Sequence, residues 1–255
     1  MLTVRFLGTG PAGGRPGRGR SHRTESSLLV RSDDTAILID ATRDLAEQAR
    51  RLTPVDLVLI THSHRDASGG VHQLDRRLSS QVPLLSARAT IRTLRERYRR
   101  LSHLELRAVS SGQTVPWRDW RITPLVVPHS PDCTTLAWRL DHAGVSIVYA
   151  SDIARITAKL EALCDRCNLL VLDGAMWRRR IFSHLEIQSA VATVAPWRVD
   201  RVLFTQIGRS TPEHEQLDRW LRRVDPRIGA AYDGLELEIR PPSGYRRRAG
   251  RTGRP

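Results

Sequence analysis

The segment from Asp56 to Gly70 constrains the fold most strongly, because a buried strand runs directly into a cluster of metal-binding side chains. Leu57 to Ile60 is a short apolar run typical of a buried strand. His62 and His64 then stand two positions apart, so in an extended segment their side chains point to the same side. Two imidazoles that converge beside the carboxylate of Asp66 indicate a transition-metal site, with zinc the preferred ion.

An isolated His-x-His at a strand end is more often a pair of ordinary polar residues than a metal site. Here Gly69 and Gly70 also permit a tight turn into a helix that begins near Val71, so the whole segment fits one architecture. A third histidine, His129, follows another apolar strand and is bracketed by prolines that stiffen its loop. We therefore favour the metal interpretation and take His129 as the natural third ligand.

Thr61 to Gly70 resembles the Thr-His-x-His-x-Asp-His-x-x-Gly-Gly signature of the metallo-β-lactamase-fold hydrolases, with Ala67 in place of the last histidine. The resemblance extends over about residues 1 to 240. Four further motifs look most like two phosphodiesterase branches, tRNase Z and the cyclic-phosphate phosphodiesterase of phosphonate breakdown: Leu7-Gly-Thr-Gly10, Arg23-Thr-Glu-Ser-Ser-Leu28, Ser183-His184-Leu185 and Tyr232-Asp-Gly234. The short chain, without an inserted tRNA-clamping arm, favours the small-molecule branch.

The resemblance implies an α/β fold, the four-layer αβ/βα metallo-β-lactamase sandwich, in which helices flank two mixed β-sheets. The hydrophobic pattern predicts strands at 2–7, 26–30, 36–40, 57–60, 82–85, 104–109, 120–127, 135–140, 144–149, 169–172, 201–205 and 235–239, and helices at 41–52, 71–78, 87–101, 157–167, 183–194 and 212–223. Residues 1–240 are expected to form one hydrolase domain. Residues 241–255 are rich in Pro, Gly and Arg and lack acidic residues, which predicts a disordered basic tail.

The ligand set that the resemblance implies for a first metal is complete: His62, His64, His129 and Asp152. The implied positions for a second metal hold Asp66, Ala67, Asp152 and Gln206, so two of its histidines are replaced. We therefore expect one tight zinc site. A second site built on carboxylates and a glutamine oxygen would be harder and weaker, suited to zinc or manganese, to magnesium, or to no ion.

Two residues are candidates for proton transfer. Asp66 would act as general base or as a weak ligand of a second metal. Ser183 and Glu186 match a helix capping box, which would place His184 at the positive end of a helix, where it could contact or protonate a phosphate oxygen. The plain alternative is that His184 is an ordinary residue of the first helical turn. Asp40, at a strand end, is expected from the resemblance to brace the segment from Thr61 to Gly70, which we call the metal loop.

These residues support a metal-dependent hydrolase. The resemblance implies a phosphodiesterase that cleaves a small phosphodiester, or a cyclic nucleotide or sugar phosphate, through a metal-bound water. The alternative is a catalytically impaired member of the fold that binds an anionic ligand or nucleic acid. Thioester or lactam hydrolysis stays open as well, because a fold does not fix a function.

The formal net charge of +14 favours anionic partners, either a small phosphate-containing substrate or nucleic acid. Lys159 is the only lysine, so arginine-biased composition explains the charge equally well. The Arg15 to Arg23 segment is expected to be an exposed basic loop, either phosphate-binding or merely solvated. The arginines of the 87–101 helix are expected to form a solvated face, with an RNA-binding patch the less favoured interpretation.

Three cysteines in a chain of 255 residues do not form a disulfide framework, and Cys164 and Cys167 are expected to be half-buried thiols on a helix. No apolar run approaches the ~20 residues of a membrane span. The first residues have the pattern of a strand and not of a secretion signal. We therefore expect a cytoplasmic protein without a membrane partner, and leave a homodimer open.

Overall fold

In the computed structural model, which describes residues 1–51, 54–179 and 181–241, the chain forms two β-sheets of seven strands each. The strands are β1 (Leu2–Gly8), β2 (Ser27–Arg31), β3 (Ala36–Ile39), β4 (Leu57–Leu59), β5 (Val82–Ala87), β6 (Leu104–Val109), β7 (Val115–Trp117), β8 (Trp120–Val127), β9 (Thr135–His142), β10 (Val145–Ala150), β11 (Leu169–Asp173), β12 (Val202–Thr205), β13 (Ile228–Ala230) and β14 (Glu236–Ile239).

The helices are α1 (Leu45–Gln48), α2 (Arg65–Ser68), α3 (Val71–Asp75), α4 (Arg88–Arg97), α5 (Ala158–Cys164), α6 (Ile187–Val194) and α7 (His214–Val224), with 3₁₀ turns at Gly19–Ser21 and Ala49–Arg51. The longer helices are amphipathic. In α4 the buried residues are Thr90, Ile91 and Leu94, and in α7 Leu217 and Leu221 are buried one turn apart. That spacing turns one face of each helix toward a sheet and leaves the other in solvent.

The first sheet has the order β14-β1-β2-β3-β4-β5-β6, and the second has the order β13-β12-β11-β10-β9-β8-β7. Both sheets are mixed, with β3 to β6 parallel in the first and β10 to β13 parallel in the second. The last strand closes the first sheet by antiparallel pairing with the first strand, in the register Leu2 opposite Ile239. These are the two mixed sheets that the family resemblance implied.

Buried apolar side chains form three layers, and these layers establish the four-layer architecture. Phe6, Trp138 and Tyr149 belong to the layer between the two sheets. The outer face of the first sheet packs against α1, α3 and α4 in a layer that includes Leu94. The outer face of the second packs against α5, α6 and α7 in a layer that includes Leu160. The predicted αβ/βα sandwich is therefore confirmed.

Several predicted elements differ in length or were missed. The helix expected at 41–52 begins only at Leu45, because the chain before it bonds to the metal loop: Ala41 N–H donates to Ala67 O and Gly70 N–H donates to Ala41 O. Strands β7 and β13 were not predicted. Each has three residues, too few to show the alternation that marks a strand.

Gly70 is required for space and not for backbone freedom. Its φ of −93° is open to any residue, but a Cβ atom there would lie 2.1 Å from the carbonyl oxygen of Thr42. The two glycines of the predicted turn therefore let the metal loop approach the segment after β3 closely, and α3 starts directly behind them.

The Arg15 to Arg23 segment is only partly the exposed basic loop that was predicted. The Arg15 guanidinium is buried and donates to the Thr211 hydroxyl (2.6 Å) and the Thr211 carbonyl (3.2 Å). Arg23 is also buried and donates to the Ala231 carbonyl (2.5 Å). These two arginines hold the N-terminal loop against the C-terminal part of the fold. Arg18, Arg20 and His22 between them are exposed.

Cys164 and Cys167 are both fully buried, not half-buried, and Cys167 lies beyond the end of α5. Residues 242–255, which hold nearly all of the predicted basic tail, lie outside the described residues. Within the described ranges, no helix combines the length and the apolar character needed to cross a membrane.

Candidate metal centre

The predicted site residues lie just beyond the carboxyl ends of four strands, in loops except for Asp66, which is in the first turn of α2. His62, His64 and Asp66 follow β4, His129 follows β8, and Asp152 follows β10. Both β8 and β10 are antiparallel to β9, so they run in the same direction and end at the same edge of the second sheet. His184 lies in the loop after β11. The loop from β4 joins this edge through a bond from Leu136 N–H to Thr61 O (2.9 Å).

The structure brings the four predicted histidines together in one cluster. The ring centroid of His62 lies 4.7 Å from that of His64 and 5.1 Å from that of His129. The centroids of His64 and His129 are 5.6 Å apart, and His184 lies 5.0 Å from His129. Rings this close together can direct their nitrogens at one cation, provided that the nitrogens facing the cation carry no proton.

Hydrogen bonds to His62 leave it one free nitrogen for a metal. Its Nδ1 lies 2.9 Å from the Thr61 hydroxyl oxygen, and that hydroxyl donates its single hydrogen to Asp40 (3.0 Å). The Thr61 oxygen can then only accept, so Nδ1 carries the proton of the ring. His62 Nε2 is buried without a hydrogen-bond partner among the described residues. Burial also lowers the pKa of His62 to about 3, which keeps the ring neutral.

Asp40 braces the metal loop as the resemblance implied. Its carboxylate accepts from the backbone N–H of Thr61 (2.8 Å) as well as from the hydroxyl. Asp40 itself has a left-handed φ of 65°, a conformation that aspartate tolerates better than most residues.

The other two predicted histidine ligands are oriented in the same way. His129 Nδ1 donates to the carbonyl oxygen of Ser183 (2.7 Å), since a carbonyl can only accept. His64 Nε2 lies 3.1 Å from the carboxylate of Asp132. His129 therefore has one nitrogen fixed by the protein and the other free to bind a cation, an arrangement that is general for metal-binding histidines. His64 is held by Cys133 as well as by Asp132, and these partners raise its pKa to about 9, so a cation bound there would displace a proton from the ring.

Asp152 and Asp66 add two carboxylates at the cluster. Burial acts to raise the pKa of Asp152, but His62, His129 and His184 together lower it to about 2. Asp66 lies 3.9 Å from His62 Nε2, and burial, assisted by the charge of Asp152, raises its pKa to about 6. The two acids therefore have separate roles open to them, one as a permanent anion and one as an acceptor of protons.

A family model described as "Beta-lactamase superfamily domain" matches residues 35–207, more than half of the chain. The chain belongs to this family. The resemblance seen in the sequence motifs is thereby confirmed. Together, the family and the clustered His and Asp side chains support a metal-dependent hydrolase.

Two curated relatives match parts of the chain. Octanoyltransferase of Porphyromonas gingivalis is 26% identical over 234 residues, which are 85% of this chain and 45% of that protein. Ribonuclease Z of Methanopyrus kandleri is 32% identical over 152 residues, which are 55% of this chain and 50% of that protein. The chain thus spans about half the length of the curated relatives it matches.

Solved structures share the fold over nearly the whole chain. A diphosphatase from the PhnP family superposes with a TM-score of 0.83 at 24% identity, covering 94% of this chain and 98% of that one. Zn²⁺-bound PqqB from Methylobacterium extorquens gives 0.79 at 20%, covering 93% and 100%. The short form of human tRNase Z gives 0.72 at 16%, covering 93% and 99%. At these identities the likeness shows the fold.

The donor set fits a divalent metal of the kind that the fold implies. His62, His64 and His129 each offer a ligand atom, and these atoms lie within 4.8 Å of one another. The buried and unpartnered Nε2 of His62 is a site-specific reason to expect a cation. Three imidazole nitrogens with a carboxylate are donors that zinc prefers, and Asp152 can supply that carboxylate.

His184 occupies a different position from the one its sequence predicted. Helix α6 begins at Ile187 and its N-cap is Glu186, whose carboxylate accepts from the backbone N–H groups of Gln188 and Ser189. Ser183 is therefore not the cap, and His184 lies in the loop before the helix. Its Nδ1 instead bonds to Asp173 Oδ2 (2.7 Å), and its ring contacts His129.

His184 carries a positive charge that Asp173 stabilises, and this suits His184 to proton donation. Burial acts to lower the pKa of His184, but the adjacent Asp173 raises it to about 9. Burial raises the pKa of Asp173 itself, while His184 acts to lower it. Sequence reasoning did not assign a role to Asp173. Its place at the end of a buried strand was the available signal, the same signal that identified Asp40.

Arg97 was also missed. It was predicted as part of a solvated helix face. Instead it donates to the Ser63 carbonyl (2.7 Å) and to the Ser68 hydroxyl (2.9 Å), both in the metal loop. Tyr98, the next residue, donates from its hydroxyl to the Ser68 carbonyl (3.0 Å). Helix α4 therefore supports the metal loop directly. In a helix with so many arginines, the sequence alone does not distinguish Arg97 from its neighbours.

Proposed function

We propose that the protein is a metal-dependent phosphodiesterase that cleaves a small phosphodiester, such as a cyclic nucleotide or a sugar phosphate. The observation that carries the proposal is the juxtaposition of a metal donor set with the Asp173–His184 pair. His129, Asp152 and His184 offer ligand or proton-transfer atoms within 4.8 Å of one another. Ribonuclease Z and the PhnP-family diphosphatase, which share the fold, act by their names on phosphate linkages, and this supports the choice of substrate.

The chain's own residues divide the proton transfers between them. His62, His64, His129 and Asp152 would hold a divalent metal, which would supply positive charge to activate water and to stabilise charge on a phosphate oxygen. Asp66 takes a proton from the attacking water, for which a pKa of about 6 is suitable. The phosphorus–oxygen bond to the leaving group breaks, and His184 gives its proton to the departing oxygen. Asp173 is a positioning residue that keeps His184 oriented and charged.

Replacement of His184 by alanine is expected to lower kcat about 10²- to 10⁴-fold with an alkoxide leaving group, the usual contribution of a general acid. With bis-p-nitrophenyl phosphate the loss should be much smaller, because p-nitrophenolate departs without a proton. Steady-state kinetics of the zinc- or manganese-loaded full-length protein on both substrates measure this difference. Bound metal, determined by elemental analysis, should stay at the wild-type level.

Two results would contradict the role of His184. A variant that loses its metal would make His184 a ligand, and equal losses on both substrates would remove it from protonation of the leaving group. No turnover of any phosphodiester by the metal-loaded wild type would reject the proposed function itself.

A second candidate function is binding of a nucleic acid without cleavage, and α4 gives a specific reason for it. Arg88, Arg92 and Arg95 recur at helical spacing, are exposed, and line an open groove of about 480 Å³. Within the part of the chain that the structure describes, no carboxylate pairs with these three arginines. Unpaired guanidinium groups about one helical turn apart are suited to phosphates along a strand.

The variant R88Q/R92Q/R95Q tests this candidate. We expect it to weaken binding of single-stranded RNA and to reduce the slope of log K against log salt by about 2, since each single-strand phosphate contact contributes about 0.7. Fluorescence anisotropy over a salt series measures both quantities. The matched control R219Q/R222Q/R223Q removes equal charge from α7. Equal losses in the two variants would mean that binding follows net charge and not this helix.

A further inference from the structure

Two of the residues expected to bind a second metal are replaced in this chain, and the structure shows how their replacements are placed. Ala67 is buried, with 3% of its surface exposed, and its methyl group cannot bind a metal. Gln206 is equally buried, and its side-chain nitrogen donates to Asp152 Oδ1. A carboxylate can only accept, so the amide nitrogen and not the amide oxygen must face Asp152.

We propose that the centre holds a single metal ion, and that the Gln206 amide takes the place of the second ion beside Asp152. The inference rests on the metal site of the proposed function but not on its reaction. An amide N–H group has no lone pair to offer a cation. It does present the positive end of a dipole to the Asp152 carboxylate, which a second ion would otherwise contact.

The ring nitrogens that lie beside Asp152 belong to His62, His129 and His184. His62 has Nε2 free, because Nδ1 is fixed by Thr61, and His129 has one free nitrogen, because the other donates to Ser183. The first ion uses both. A second ion near Asp66 and Asp152 would therefore find two carboxylates and, as the remaining imidazole, that of His184, whose other nitrogen is bonded to Asp173 and which the proposed function uses as the acid.

Asp152 is already engaged by the protein on both oxygens. Ser151 donates to Oδ2 (2.6 Å), while Gln206 donates to Oδ1. The oxygen of the Gln206 amide, Oε1, is buried without a hydrogen-bond partner among the described residues. To offer Oε1 to an ion in place of the nitrogen, the amide would have to rotate and give up its bond to Asp152.

The backbone holds Gln206 firmly in this place. Its φ of 57° is left-handed, and its N–H donates to the Ser26 hydroxyl (2.9 Å). Histidine is enriched among the residues that adopt this conformation, so a histidine at position 206 fits the same backbone. The substitution A67H/Q206H is therefore the natural way to recreate the second set of ligands.

The test is the number of ions bound by the full-length protein after removal of metal with a chelator. Titration with Co²⁺, followed by its visible absorption, should reach a plateau at one equivalent in the wild type and at two in A67H/Q206H. Native mass spectrometry with Zn²⁺ should give the same two numbers. The variant H64A should show that the signal arises at this centre, by losing the wild-type plateau.

A plateau at two equivalents in the wild type would overturn the inference, as would a folded A67H/Q206H that still binds one ion. Circular dichroism reports whether the double variant is folded, and Q206H alone serves if a histidine at the buried position 67 is not accommodated. If neither variant folds, the wild-type plateau decides. Because these readouts do not use turnover, one bound ion without phosphodiesterase activity would reject the proposed function and leave this inference standing.

Discussion

Replacement of His64 by alanine is expected to remove the bound metal and to reduce phosphodiesterase turnover to background. The side chain is one of three imidazoles whose ligand atoms lie within 4.8 Å of one another, so its loss leaves an ion with two histidines and one carboxylate. Loss of a residue that only orients a ligand typically costs about 10–100-fold in metal affinity or activity. Loss of the ligand itself should cost more.

Elemental analysis of the purified protein and turnover of bis-p-nitrophenyl phosphate measure the two effects. His72→Ala is the matched control, because His72 is an exposed histidine eight residues away that stacks on Tyr98 at a ring distance of 6.1 Å. It should keep both metal and activity. Turnover that survives in H64A would reject the mechanism, and metal that survives would remove His64 from the ligand set.

The sequence was sufficient for the architecture because its strongest signals are local. Apolar runs such as Leu57 to Ile60 mark buried strands, and the polar residues directly after them mark the edge at which loops meet. Parallel strands then bring distant residues together: β10 and β11 pair side by side, which brings Asp152 close to the loop of His184. The packing of two sheets against each other came from the family resemblance, because no local sequence pattern shows which strands share a sheet.

What the sequence did not predict depends on contacts between distant residues. Glu186 lies three residues after Ser183 in a good capping pattern, yet the helix starts later, with Glu186 as its own cap, and Asp173 holds His184 in the loop. Arg15 was expected in solvent. Its guanidinium is instead buried and donates to Thr211, almost 200 positions further along the chain. Side-chain type and spacing do not contain that information, because many arginines share the same local pattern.

Ala67 and Gln206 illustrate the same limit at the metal centre. The sequence showed that two expected ligands are replaced, and left open whether the glutamine oxygen binds a second ion. The orientation of the amide, with its nitrogen on Asp152, is a fact of tertiary structure. Because of this orientation, Gln206 does not offer its oxygen to a second ion, and we predict that the centre binds one ion.

Asp40→Ala is expected to weaken zinc binding about 10–100-fold, although Asp40 is not itself a proposed ligand. Its carboxylate receives the hydroxyl hydrogen of Thr61, and this leaves the Thr61 oxygen as the acceptor that fixes the proton on His62 Nδ1. Without Asp40 the hydroxyl can turn its hydrogen toward the ring, which favours the tautomer with a proton on Nε2, the nitrogen that the metal needs. The buried Thr61 N–H also loses its acceptor, at a cost of about 1–3 kcal/mol in the free energy of unfolding.

Thr61→Val separates these two effects, because valine has nearly the same shape but no hydroxyl, and its backbone N–H still bonds to Asp40. Competition with a chromophoric chelator measures zinc affinity, and chemical denaturation measures stability. We expect T61V to share the loss of zinc affinity while keeping the N–H bond that D40A breaks. Unchanged zinc affinity in both variants would show that Asp40 and Thr61 support the loop without setting the tautomer of His62. A loss in D40A alone would assign the effect to displacement of the loop.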